Sequence, residues 1–182
     1  MKIVGFVGSP RVGGNSDLLV SKILEGSASV GAEVEKITLN PLKISPCQGC
    51  DSCKKTLRCR INDDMQPLYG KILGADGIVL GAPIYFWAAS AQMKSFIDRW
   101  YALDEKGVRE KLAGKQVQLV CVFGDTDPHV ADGAVFMMRS GAQWFGMPFR
   151  EPFLVSANEK GEVMRKPKIM KKALQLGIDL VL

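Results

Sequence analysis

No stretch of this chain stays apolar for the ~20 residues that a membrane helix needs. The richest candidate, residues 78–89, is interrupted by Gly81 and Pro83 and bracketed by Asp76 and Lys94. At the start, Lys2 precedes only Ile3-Val4-Gly5-Phe6-Val7, too short a run for a signal-peptide core. The expectation is a soluble, cytoplasmic protein that makes no use of a membrane. Internal repeats of 20–50 residues are missing, and so is any low-complexity tract, so repeat arrays and disordered chains fall away. Histidine is nearly missing: His129 is the only one, with no Cys beside it, and it is assigned no role. A basic stripe with interleaved aromatics is lacking too. Lys and Arg outnumber Asp and Glu by 24 to 19, for a net charge of +5, but they are scattered. No nucleic-acid partner is therefore expected; the charge reads as a solvated surface, or as an attraction for an anionic ligand or acidic protein.

What is present is an ordinary globular composition, 47% apolar and 24% charged, in 182 residues that suit a single core. Five apolar runs punctuate it: Lys2–Val7, Val34–Leu39, Gly77–Ala82, Val117–Phe123 and Phe153–Ala157. The first, third and fourth are nearly continuous in Val, Ile, Leu and Phe, as central parallel strands buried on both faces must be. The second mixes Glu35 and Lys36 with β-branched residues, which suits an edge. Helical segments alternate with these runs. One follows the capping residues Asn15-Ser16-Asp17 and runs to about Val30; a second follows Asn62-Asp63-Asp64. Others are expected over about 90–103 and 130–145, and from Pro167 to the end. Strand and helix alternate five times, which predicts one α/β domain over 1–182, a three-layer sandwich around a five-stranded parallel sheet. Ligands of such sheets sit at the carboxyl ends of the strands, which directs attention to the loops after Val7, Ala82 and Phe123.

The first of these loops reads Gly8-Ser9-Pro10-Arg11-Val12-Gly13-Gly14-Asn15-Ser16 and leads into a helix. Ser9, Asn15 and Ser16 can donate hydrogen bonds to phosphate oxygens, Gly13 and Gly14 admit a close approach of backbone amides, and Arg11 adds a full charge to the helix N-terminus. Gly14 and Asn15 stand where a triphosphate-binding loop needs Lys and Ser or Thr, so a terminal monophosphate fits best. After the third run come Pro83-Ile84-Tyr85-Phe86-Trp87, whose three consecutive aromatics suit a planar ligand. Gly124 and Asp125, after the fourth run, complete the rim.

These segments, together with Lys94-Ser95-Phe96-Ile97-Asp98-Arg99, resemble the NADPH-dependent FMN reductase family of flavodoxin-like proteins, over about residues 1–125. The resemblance implies FMN, with its phosphate in the first loop and its isoalloxazine ring against the second. It also implies homo-oligomers, dimers or tetramers. Lys94 and Asp98, four apart, read as ordinary helix support.

Cys47, Cys50, Cys53 and Cys59 follow C-x2-C-x2-C-x5-C in a Cys-rich loop at 46–61. The first three share the spacing with which ferredoxin loops wrap a cubane, whereas structural zinc sites more often use two separated knuckles. Lys54, Lys55, Arg58 and Arg60 surround them and could offset an anionic cluster or dock an acidic carrier. Within the resembled family this spacing looks like the iron–sulfur flavoproteins, which carry a 4Fe–4S cluster beside FMN. Zinc and free, reactive thiols stay open as readings. Cys121, inside the fourth run, reads as a buried small hydrophobe.

The leading expectation is an FMN-dependent oxidoreductase that couples one-electron and two-electron carriers, with ferredoxin or NAD(P)H as donor. No acid or base is required, so no catalytic side chain is named. An NAD(P)H-dependent FMN or quinone reductase without a cluster, and a flavin-binding redox sensor, are the alternatives.

Overall fold

The apolar runs become the strands of one sheet in the computed structural model, which describes residues 1–105 and 107–182. The parallel strands are β1 (Lys2–Val7), β2 (Glu33–Thr38), β3 (Gly77–Tyr85), β5 (Gln116–Phe123) and β6 (Phe153–Ser156); a two-residue β4 (Ala88–Ala89) folds back antiparallel on the end of β3. Their order is β2-β1-β3-β5-β6. In register, Val4 lies between Glu35 of β2 and Ile78 of β3. The edge position of β2 follows from its charges, which only a solvated strand tolerates.

Side-chain alternation divides the core into two layers. Ile3 and Val7, with Val79, Val120 and Val122, face Leu19, Val20 and Ile23 of α1 (Asn15–Ser29) and Ala173 of α6 (Pro167–Asp179). Val4 and Phe6, with Ile78, Leu80, Leu119 and Cys121, face the other way. There they meet α3 (Met65–Gly74), α4 (Ala91–Asp98) and α5 (Asp132–Trp144) through Ile72, Phe96 and Met138. Gly5 and Gly81 face α1, and a Cβ on Gly5 would come within 2.7 Å of Val20 Cγ1. Their bare backbones let α1 settle closely on the sheet.

Three local features differ from the sequence expectation. The helix expected over 90–103 is α4 followed by a tighter 3-10 turn, Arg99–Leu103. The one expected from 130 opens with a 3-10 turn, Pro128–Ala131, where Asp127 Oδ1 accepts from the His129 N–H at 2.9 Å. A five-residue helix, α2 (Ser52–Thr56), lies inside the Cys-rich loop, bounded by Asp51 and Leu57 in the left-handed region. Among the described residues, no helix is long and apolar enough to cross a membrane.

Cys121 is fully buried in β5, and burial pushes its thiol up to about 12. At pH 8 only on the order of one such thiol in ten thousand is ionised, and the thiolate is the nucleophile. An alkylating reagent should therefore leave Cys121 unmodified in the folded protein and modify it after denaturation, as read by peptide mass spectrometry. Equal labelling rates in the two states would contradict its burial.

Candidate functional site

The loop after β1 is built around an uncapped helix start. Gly14 occupies the cap position of α1 and offers no side chain, and the first i→i−4 bond runs from the Leu18 N–H to the Gly14 carbonyl. The leading N–H groups of α1 are thus without intrahelical acceptors, and the helix dipole favours an anion there. Gly13, at a φ of 67°, turns its N–H onto Asp17 Oδ2 at 2.8 Å, while Asp17 Oδ1 accepts from Lys36 Nζ at 2.6 Å. Ser9 Oγ accepts from the Arg11 N–H at 3.2 Å. The loop is anchored from below by Ser90, the cap of α4, whose hydroxyl donates to the Gly8 carbonyl at 2.6 Å.

Asn15 does something that the sequence did not reveal. Its amide donates to the carbonyls of Ala157 at 3.4 Å and Glu159 at 2.8 Å, and its Oδ1 accepts from the Val163 N–H at 3.3 Å. It therefore ties the start of α1 to the loop after β6. Within that loop Glu162 pairs with Lys166 and accepts the N–H groups of Asn158 and Glu159, which together hold its carboxyl down to about 2. The loop so formed brings Lys160 beside the first loop: its Cε lies 3.7 Å from where a Gly13 Cβ would stand.

One cavity of about 220 Å³ opens where these loops meet. Ser9, Arg11, Gly14, Asn15 and Ser16 line one end; Pro83, Ile84, Tyr85 and Gly124 line the other. Val122, Phe123, Ala157, Asn158 and Lys160 also line it and were missed in the sequence, although the strand-end rule extends to the loop after the fifth run. Four expected residues lie outside the lining. Gly13 is turned onto Asp17, and Asp125 shapes its own loop, its carbonyl accepting from the Ser156 hydroxyl at 2.6 Å. Phe86 and Trp87 form the tip of the β3–β4 hairpin, 93% and 63% exposed, with rings edge to face at 5.3 Å. A second cavity, of about 250 Å³, lies between the Arg99–Leu103 turn and α5. Its walls include Trp100, Met138 and Phe145, and its acidic groups Asp98 and Asp104 are already paired with Lys94 and Lys54.

The four cysteines of the Cys-rich loop come together at one small recess, which Arg60, Arg99 and Tyr101 also line. Cys47 and Cys50 are exposed, Cys59 is half-buried and Cys53 is buried on α2. The backbone and hydroxyl of Ser52 pull the Cys50 thiol down, while burial pushes the Cys53 thiol up. Among the described residues, no three Cys, His, Asp or Glu side chains are placed to hold a single metal ion. Of the cations expected around the site, Lys54 is committed elsewhere: it pairs with Asp104 and Glu105 and lies 4.0 Å over the Tyr101 ring. Lys55, Arg58 and Arg60 remain exposed. The recess is closed by Arg99, whose guanidinium forks onto Asp63 at 2.6 and 3.1 Å. Burial pushes the Asp63 carboxyl up, but Arg99 and the N–H groups of Ser45 and Met65 outweigh it and hold the group below its ordinary range.

Read in chain order, the five parallel strands lie 2-1-3-4-5, with the phosphate-type loop and the aromatic loop meeting at the switch point between β1 and β3. That order and that site define a flavodoxin-like nucleotide-binding protein. Residues 1–160 match the NADPH-dependent FMN reductase family. An iron–sulfur flavoprotein of Archaeoglobus fulgidus is 34% identical over 180 residues, 97% of this chain and 77% of that protein. The chain belongs to the NADPH-dependent FMN reductase family, within its iron–sulfur flavoprotein subgroup. A second iron–sulfur flavoprotein, from Methanocaldococcus jannaschii, is 46% identical over 99 residues, 54% of this chain and 51% of that protein. The chain spans about half the length of that relative. In fold it is similar to an NAD(P)H:quinone oxidoreductase from Methanothermobacter marburgensis, with a TM-score of 0.79 at 17% identity, covering 99% of this chain and 96% of that one.

Phe86 and Trp87 have φ angles of 50° and 60°, a conformation that costs a bulky L-residue about 1–2 kcal/mol. Two-residue hairpin turns of this kind favour Asn-Gly. Replacing Phe86-Trp87 by Asn-Gly should therefore raise stability by about 1–2 kcal/mol in thermal or denaturant unfolding. A lower melting temperature would show that the exposed rings contribute more than their backbone strain removes.

Proposed function

We propose that this protein is an FMN-dependent oxidoreductase that exchanges electrons between FMN at the strand ends and a 4Fe–4S cluster held by Cys47, Cys50, Cys53 and Cys59. The observation that carries the flavin part is the uncapped start of α1, opening into the same cavity as Pro83, Ile84 and Tyr85. Arg11, Lys160, Ser9 and Ser16 hold the phosphate together with the leading amides of α1. Gly13 and Asn15 shape this cradle, since their own polar groups are turned onto Asp17 and onto the loop after β6. Gly14 leaves room for the approach, and Pro83, Ile84, Tyr85 and Gly124 hold the ring. Asp125, Phe86 and Trp87 flank it, the last two from an exposed hairpin suited to meeting an electron carrier.

The donor set supports the cluster part. Each iron of a four-iron cluster takes one thiolate, so the four sulfurs must surround a centre rather than converge on one ion. Four thiols around one recess, with Arg60 and a buried guanidinium beside them, fit that requirement and the negative charge of such a centre. When bound, FMN supplies two-electron chemistry that it can also perform one electron at a time, and the cluster supplies one-electron chemistry. The protein positions the two. Helix α4 links them, running from Ser90 under the phosphate loop to Arg99 over the cysteines, a rise of ~13 Å at 1.5 Å per residue. NAD(P)H or a ferredoxin-type carrier is the electron partner, and the working form is a homo-oligomer.

Arg11→Ala should weaken FMN binding by about 1.5–3 kcal/mol, the range of a charge-assisted hydrogen bond, and leave riboflavin binding unchanged. Titration of the flavin-free variant with both ligands checks this. An unchanged FMN affinity would remove the phosphate from the first loop.

A further inference from the structure

Arg99 is the largest of the fully buried side chains, at 1% exposure. A buried guanidinium is tolerated only when it is paired and its donors are used. Nη1 donates to Asp63 Oδ2 and, at 2.8 Å, to the Ser45 carbonyl. Nη2 donates to Asp63 Oδ1, to the Ile61 carbonyl at 3.4 Å and to Cys59 Sγ at 3.4 Å. Nε–H is buried and has no acceptor among the described residues. One buried donor, Nε–H, is thus left over, while the two N–H groups of Nη2 are shared among three acceptors. Nη2 already meets a cysteine sulfur, and the whole group lines the recess shared by the four cysteines. What complements a cationic, donor-rich wall beside thiols is an anionic, sulfur-rich acceptor.

We propose that Arg99 is a positioning residue for the iron–sulfur centre: it holds Cys59 by an N–H···S bond and raises the reduction potential of the cluster. This rests on the reading that the four cysteines hold a 4Fe–4S cluster. Reduction adds one electron, and so one negative charge, to the centre. A buried cation within hydrogen-bond reach of a ligand sulfur stabilises the reduced form more than the oxidised one, and hydrogen bonds to sulfur act in the same direction. Asp63 offsets part of the charge but takes no part in the contact to Cys59. Asp63 also accepts the N–H groups of Ser45 at 2.9 Å and Met65 at 3.1 Å, so it fixes the guanidinium to both ends of the Cys-rich loop.

The test is an anaerobic redox titration of the holoprotein with dithionite, followed by cluster absorbance and electron paramagnetic resonance, with iron and sulfide measured in each sample. Arg99→Lys keeps the charge and loses the fork; Arg99→Gln loses the charge. At a fixed solution potential the ratio of reduced to oxidised cluster should fall about tenfold in Arg99→Gln, a midpoint about 59 mV lower for a one-electron couple. Arg99→Lys should show a smaller fall, and the FMN midpoint should stay put in both. A purely structural role would change melting temperature or iron retention and leave the cluster midpoint alone. Wild-type midpoints in both variants, with iron retained, overturn the proposal while the cluster reading stands. Should Arg99→Gln fail to fold or to keep iron, the Arg99→Lys midpoint decides: a lower value supports the proposal and a wild-type value overturns it. A wild type without iron or sulfide overturns the cluster reading and the proposal with it.

Discussion

The close seating of α1 on the sheet is the constraint on which the strand-end site depends. Val20 packs where Gly5 of β1 and Gly81 of β3 leave no side chain in its way. A larger residue at either glycine would push α1 outward and lift its free N–H groups away from the loops they face. Because β1 and β3 are neighbours, the same contact brings the first loop beside the end of β3, and the Gly8 N–H continues the ladder onto the Gly81 carbonyl at 2.8 Å. Ser90 then joins Gly8 to α4, and Asn15 joins α1 to the loop after β6. The loop after β1, the cavity at the strand ends and the helix that leads to the cysteines thus share one anchoring point.

Charge is placed with a similar economy. In the loop after β6, Glu162 takes two backbone N–H groups and Lys166. Its carboxyl titrates lower in the folded protein than in the unfolded one, so this contribution is present above the ordinary value of 4.5 and is lost as pH falls through about 2. That loop carries Lys160, whose Cε lies beside Gly13 of the first loop. At the cysteines, Arg99, the one completely buried cation among the described residues, donates to Cys59 Sγ, whereas Lys54 is turned onto Asp104 and Glu105. Local charge at that recess comes from the fold more than from the count of basic residues in the loop.

Much of this was legible in the sequence, for identifiable reasons. Runs such as Ile78–Leu80 and Val117–Phe123 are short, rich in β-branched residues and set between helical segments, the pattern of parallel strands buried on both faces, which they are. The Gly8–Ser16 loop was legible as a cavity wall because ligand clefts of parallel sheets lie at the carboxyl ends of the strands, and Ser9, Arg11, Gly14, Asn15 and Ser16 do line one. What stayed hidden depends on contacts far apart in sequence. Asn15 reads as a cap or a phosphate donor until the loop after β6, more than 140 residues away, takes up its amide. Lys160 is invisible for the same reason. The β3–β4 turn escaped because Phe86 and Trp87 break the local rule that Asn or Gly occupies left-handed positions. Helix α2 escaped because five residues between two left-handed ones give no periodicity to read.

In the proposed function one domain holds two redox centres, a flavin at the strand ends and a metal–sulfur cluster in the Cys-rich loop. Anaerobic purification, with flavin, iron, acid-labile sulfide and zinc counted per chain, decides whether both are present. About one FMN with about four iron and four sulfide per chain, and no zinc, is the expected result. FMN without iron or sulfide, or zinc in their place, would contradict it and leave a flavin reductase whose cysteines serve another purpose.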